Sequence, residues 1–195
     1  MPKVYTGDLT KMFDISGKKA MIFGGAGGFG EAIAAGYAAN GCSVCISSRS
    51  EEKLKAAKAK IEAAAAPGVK VMYVAGDAGD EEFVKKALAE VTGPDGLGGC
   101  DILVNAQGIN KKMWSWEIDT DFFEKMLHTN ITSLMLTCKY FGNWMKSNNV
   151  EGAEMIPAEK FEAGKCNPNQ GYGKIINFGS VRGIRAVANG GNGNV

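Results

Sequence analysis

The chain has one histidine, His128, and no G-x-S-x-G turn. A hydrolase built on Ser-His-Asp would have to use that histidine and would lack the elbow that goes with it. His128 falls in a predicted helix and reads as a surface or packing residue. Charge of one sign is also lacking. Lysine and arginine total 22 against 21 aspartates and glutamates, a net charge of +1. A nucleic-acid partner is thereby excluded, because it calls for a strong basic excess. No apolar run approaches the roughly 20 residues of a membrane helix. The opening residues carry no apolar signal core. The expected address is the cytoplasm, with no membrane partner. Cysteines number five, an odd count that without an export signal predicts free thiols. Cys42 and Cys45 form a C-x-x-C, but in a run that reads as a strand. Residues three apart in a strand face opposite ways, about 10 Å apart at about 3.3 Å per residue, beyond the reach of a disulfide. No second pair completes a zinc site, so no metal is expected.

What is present is an alternation. Apolar runs at 19–23, 44–47, 69–75, 101–105 and 174–178 read as buried strands. Between them, 31–40, 51–66, 80–91, 121–127 and 129–146 have helical spacing. Ser50 is a helix start, and Gly41 and Pro67-Gly68 are stops. Strands alternating with helices predict an α/β fold, a Rossmann-type doubly wound parallel sheet covered on both faces. At 195 residues the chain fits one domain, 1–195, with no internal boundary. A polar connection at about 147–173 is far longer than the 2–6 residues usual there. It leads into a strand, so it belongs at the amino ends of the strands, away from the end where open α/β sheets bind ligands. A surface or assembly role is expected for it.

The run Gly24-Gly25-Ala26-Gly27-Gly28-Phe29-Gly30 follows the first strand and opens a helix. In that context the glycines permit a tight turn and let backbone N–H groups approach a pyrophosphate, which the helix amino end stabilises. This predicts a dinucleotide site.

The spacing Gly24-x-x-x-Gly28-x-Gly30 resembles the T-G-x-x-x-G-x-G turn of the short-chain dehydrogenase/reductase family, with Phe23 where that family usually has Thr. The resemblance continues in order from about residue 13 to 183. Asp77-Ala78 resembles the family's Asp-Val, which implies contact with adenine. Asn105-Ala106-Gln107-Gly108 stands where the family has N-N-A-G, implying cofactor roles for Asn105, Ala106 and Gly108. Asn130 matches the helix-borne catalytic Asn, and Ser180 the catalytic Ser. The second predicted strand ends Ser47-Ser48-Arg49, with no carboxylate to repel a 2′-phosphate and a guanidinium fork suited to one. The expected cofactor is therefore NADP rather than NAD, held in part by Ser48 and Arg49.

The implied activity is hydride transfer between nicotinamide and a secondary alcohol or ketone, with a Tyr in a Y-x-x-x-K pair as acid/base. None of Tyr5, Tyr37, Tyr73, Tyr140 and Tyr172 has Lys four residues on. By the family's spacing the Tyr and Lys would follow Val195, so the chain is expected to be truncated and inactive alone. The runs Met12-Phe13-Asp14-Ile15-Ser16-Gly17-Lys18, Ser48-Arg49-Ser50-Glu51-Glu52-Lys53-Leu54 and Gly179-Ser180-Val181-Arg182-Gly183 look most like gluconate 5-dehydrogenase-type members. They imply a sugar acid or polyol as substrate, with Arg182 near its carboxylate. The alternatives are a 3-oxoacyl-thioester reductase and a non-catalytic NADP(H)-binding module. A homo-oligomer, tetramer or dimer, is what the family resemblance implies for the complete protein.

Overall fold

The computed structural model describes residues 13–111, 114–149 and 173–180. Five strands form one parallel sheet: β1 (Lys19–Phe23), β2 (Ser43–Ser48), β3 (Val71–Ala75), β4 (Ile102–Asn105) and β5 (Lys174–Asn177), in the order β3-β2-β1-β4-β5. Chain order therefore reverses direction at β1. The crevice between β1 and β4, beyond their carboxyl ends, is where such sheets take a ligand.

Helices α1 (Gly28–Ala39) and α2 (Glu51–Ala64) cover one face. In α1 the small residues Gly30, Ala34 and Ala38 recur every fourth position and are buried, so this helix lies close to the sheet. In α2 the buried row is Leu54, Ala57 and Ile61, and the Ser50 side chain accepts from Lys53 N at 3.4 Å to start the helix. Ala20, Ile22, Val44, Ile46 and Val104 meet these helices. The other face, with Met21, Phe23, Cys45 and Leu103, packs on α3 (Glu81–Thr92) and on a long helical stretch ending near residue 148. Cys42 and Cys45 fall in the two opposite cores, as strand alternation requires. Burial pushes the Cys42 thiol up to about 12 and the Cys45 thiol further still, which keeps both inert.

The predicted helices at 121–127 and 129–146 are one stretch with two changes of winding. It begins with α4 (Thr120–Leu127), capped by the Asp119 carboxylate accepting from Asp121 N at 2.8 Å. A π-turn (His128–Thr132), α5 (Ser133–Thr137), a second π-turn (Cys138–Gly142) and α6 (Asn143–Asn148) follow without a break. The turn that opens α1 is also wound further than expected, since that helix starts at Gly28 rather than Glu31. The connection expected at about 147–173 falls almost wholly outside the described residues. The same is true of Arg182 and of the chain beyond Ser180. No helix among the described residues is long and apolar enough to cross a membrane.

Phe141 is fully buried and meets the edge of Phe23 with ring centroids 5.6 Å apart. Removing it leaves a cavity under β1. Phe141→Ala is expected to cost about 3–5 kcal/mol, read as a lower urea midpoint at unchanged slope. At the surface, Glu81 accepts from Lys139 Nζ at 2.8 Å and Tyr140 Oη at 2.5 Å, tying α3 to the long helix. Lys139, then Tyr140, hold its carboxyl down at about 2, below its ordinary 4.5. A lowered carboxylate pKa stabilises fully above the ordinary value, and the gain is lost as pH falls from 4.5 through about 2. Glu81→Gln is expected to flatten the pH dependence of the urea midpoint across that window.

Candidate dinucleotide site

β1 ends in a backbone that only glycine accepts. Gly24 has φ +75°, and a Cβ there would lie 2.6 Å from the carbonyl carbon of Ala106 and 2.6 Å from Gln107 N. The end of β4 therefore packs directly on the turn after β1. The turn is pinned from both sides: Gly25 N donates to Ser47 O at 3.0 Å, and Ala106 N donates to Phe23 O at 3.0 Å. Gly27 then opens α1 with no side-chain cap. The first-turn N–H groups of a helix have no carbonyl of their own to bond, so Gly28, Phe29 and Gly30 present donors and the positive end of the helix dipole. At Gly30 a Cβ would run into the Gly24 carbonyl, so this third glycine lets the helix start against the turn.

In front of this turn lies a cleft of about 340 Å³. Gly24, Ala26 and Gly27 form its floor. Ser48, Arg49, Ser50 and Lys53 form the rim beyond β2, and Gly76, Asp77 and Ala78 the rim beyond β3. Residues 106–109 close the β4 side, with Thr129 and Ser133 of the long helix behind them. Asp77 is oriented by accepting from Gly79 N at 2.8 Å. Arg49 and Lys53 are exposed, and among the described residues no ion pair occupies either cation. The nearest acidic neighbour in sequence with a defined partner, Glu51, is engaged by Lys55 at 3.0 Å and by Tyr73.

The predicted site residues divide into three groups. Gly24, Ala26, Gly27, Ser48, Arg49, Asp77, Ala78, Ala106 and Gly108 line the cleft. Gly25, Gly28 and Gly30 shape the turn, while Phe29 points elsewhere: it is exposed and its ring lies 5.8 Å from that of Phe178, beyond β5. Asn105 and Asn130 act from outside the cleft. Asn105 is 1% exposed. Its Nδ2 donates to Asn177 Oδ1 at 2.9 Å and its Oδ1 accepts from Thr137 Oγ1 at 2.9 Å. It ties the ends of β4 and β5 to the long helix. Asn130 sits in the first π-turn, and its amide grips the Ile109 backbone twice, accepting from N at 2.8 Å and donating to O at 3.0 Å. The wide winding of a π-turn leaves backbone groups loosely paired, a feature common at functional sites. Ser180 lies exposed three residues beyond the end of β5.

Sequence reading missed Ser47, Ser50, Lys53, Gln107, Ile109, Thr129 and Ser133. Lys53 was legible as one helical turn beyond Arg49, on the same side of a helix start. Thr129 and Ser133 were legible as an i, i+4 pair of small polar residues in an otherwise apolar stripe. Two residues lining the cleft each hold a buried atom, Ser47 Oγ and Gln107 Oε1, that has no hydrogen-bond partner among the described residues. The glycine cradle, the free helix N–H groups and these orphaned polar atoms fit a phosphate-bearing, hydroxyl-rich ligand such as a nicotinamide dinucleotide.

Residues 18–156 match the short chain dehydrogenase family. The chain belongs to that family. Glucose 1-dehydrogenase of Gluconobacter oxydans is 30% identical over 72% of this chain and 52% of its own length. Gluconate 5-dehydrogenase of the same organism is 26% identical over 88% and 56%. Among solved structures, a short-chain dehydrogenase/reductase from Mycobacterium marinum superposes with TM-score 0.76 at 25% identity, over 96% of this chain and 66% of that one. A short chain dehydrogenase from Burkholderia cenocepacia in complex with NADP gives TM-score 0.70 at 26% identity, over 91% and 61%. The chain spans about half the length of the curated relatives it matches.

Gly24→Ala forces a Cβ into the β4 backbone at a left-handed φ. The expected result is loss of dinucleotide binding by a hundredfold or more, on the order of 3 kcal/mol, together with a lower unfolding midpoint. Fluorescence titration with NADPH and a thermal melt on the same sample check both.

Proposed function

We propose that this chain is the cofactor-binding part of an NADP-dependent oxidoreductase that exchanges a hydride between nicotinamide and a secondary alcohol or ketone. The observation that carries the choice of cofactor is the rim beyond β2. Arg49 and Lys53 stand there beside Ser48 and Ser50, and among the described residues neither cation is in an ion pair and no carboxylate lines that rim. A guanidinium fork and an ammonium suit a phosphate monoester, and an NAD-selective rim instead carries an acid for the ribose hydroxyls.

The bound nicotinamide would supply the hydride. The chain's own residues do the rest of the holding. The α1 amino end and the glycine turn take the pyrophosphate, Asp77 and Ala78 the adenine, and the Asn130 grip on Ile109 fixes the loop beyond β4. Ser180 is read as the hydroxyl that bonds the substrate oxygen, and Asn130 as part of the proton path through its π-turn. The substrate class we favour is a sugar acid or polyol, which the names of the two curated relatives support.

Wild-type protein is expected to bind NADPH at least tenfold more tightly than NADH. Ser48→Asp with Arg49→Leu should reverse that preference, and Lys53→Met should weaken NADPH alone by roughly three- to tenfold. Equal affinities in the wild type, or a ratio unmoved by these changes, would overturn the assignment.

A further inference from the structure

Gln107 stands in the cleft where the family's motif carries a small residue, and its amide is half used. Nε2 donates to Ser133 Oγ at 3.0 Å. Ser133 Oγ in turn donates to Thr129 O at 2.5 Å. A serine hydroxyl has one proton, and here it is committed to that carbonyl, so Ser133 Oγ is free only to accept. The amide nitrogen must therefore face Ser133, which fixes the orientation of the side chain and turns Oε1 away. Oε1 is buried and has no partner. Leaving an acceptor buried and unmet destabilises the protein unless a ligand meets it. Only three side-chain atoms among the described residues are in that state, and two of them, this one and Ser47 Oγ, belong to the cleft.

We propose that Gln107 is a cofactor-recognition residue whose Oε1 accepts a hydrogen bond from the adenosine half of the bound dinucleotide. This rests on the reading of the cleft as a dinucleotide site. The half is chosen by position. Gln107 shares its wall with Thr129 and Ser133, and that part of the helix leans on the loop beyond β3, where the His128 ring lies against Gly79. Asp77 and Ala78 are on that loop. The donors on the adenosine half of NADP(H) are its exocyclic amine and its one free ribose hydroxyl, at the 3′ position, and either matches an unused amide oxygen. Terminal torsions of glutamine are soft, so the amide can turn Oε1 toward a donor held in the cleft. The Ser133–Thr129 chain sets the resting orientation from which it turns.

A plain structural role for Gln107, joining the β4 loop to the helix, predicts the opposite pattern of effects. Gln107→Met keeps the length and removes the orphaned acceptor. The expected outcome is an unchanged or raised unfolding midpoint for the ligand-free protein, with three- to tenfold weaker binding of both NADPH and 2′-AMP. Ser133→Ala, which frees the amide but keeps Oε1, should weaken the same ligands by less. An unchanged affinity for both probes in Gln107→Met, or a loss confined to the dinucleotide and absent for 2′-AMP, overturns the proposal. Wild-type protein that binds neither NADPH nor NADH overturns the dinucleotide reading itself, a result distinguishable from the first. The hypoxanthine analogue of NADPH, which lacks the amine, separates the two donors. A wild-type preference for adenine that Gln107→Met erases identifies the amine, and a preference equal in both proteins identifies a ribose hydroxyl.

Discussion

Everything at this site depends on how closely two backbones approach: the turn after β1 and the end of β4. A Cβ on Gly24 would sit 2.6 Å from the Ala106 carbonyl carbon, and hydrogen bonds from Gly25 N to Ser47 O and from Ala106 N to Phe23 O hold the three strand ends level. That approach puts the α1 amino end, the β2 rim and the β4 loop around one cleft. It is also why the departure at Phe23 is tolerated. Its side chain points into the core against Phe141, away from the turn, while its backbone carbonyl still receives Ala106 N.

Behind the cleft, polar side chains do what secondary structure cannot. Asn105 and Asn177, the last residues of β4 and β5, face each other in the ladder, and the Asn105 side chain ties that end of the sheet to Thr137 of the long helix. Asn130 then fixes the next stretch of chain by gripping Ile109. Both asparagines act on the cleft through other groups. Asn105 is buried and Asn130 half-buried, and amides satisfied in this way hold their surroundings in one arrangement, because losing a partner strands a polar group out of reach of water. Asn130 lies in the first π-turn, and the second, Cys138–Gly142, begins directly after Thr137, the partner of Asn105.

Most of the fold was legible because parallel strands buried on both faces read as continuous apolar runs, and their alternation with helices implies right-handed βαβ units. Strand bounds at 19–23 were read as they stand. The helix start at Gly28 was not, because glycine has poor helix propensity and Gly28–Gly30 is favoured there by tertiary packing rather than by local preference. The π-turns were invisible for a related reason: Ile131, Leu134, Met135, Cys138 and Phe141 keep near-helical spacing whichever way the backbone winds. At the site, motif spacing located the floor of the cleft and its cationic rim. It placed Asn105 in the cofactor set, and packing puts that residue behind the wall. Gln107 and Ser133 escaped because their meaning lies in a pair 26 positions apart.

The cleft is electrically and chemically lopsided, and that lopsidedness orients what it holds. Beyond β2 it offers two cations, Arg49 and Lys53, neither in an ion pair among the described residues. Toward β5, outside the lining of the cleft, the surface is aromatic, with the rings of Phe29 and Phe178 5.8 Å apart and Ser180 two residues further on. A ligand with a phosphate monoester at one end and a flat uncharged ring at the other meets favourable charge in one direction only. Reversed, its phosphate would leave both cations unmet. The glycine turn stands between these ends, so a pyrophosphate must bind near the middle of such a ligand. A backbone cradle that is indifferent to direction thus becomes directional through the cations at its β2 margin.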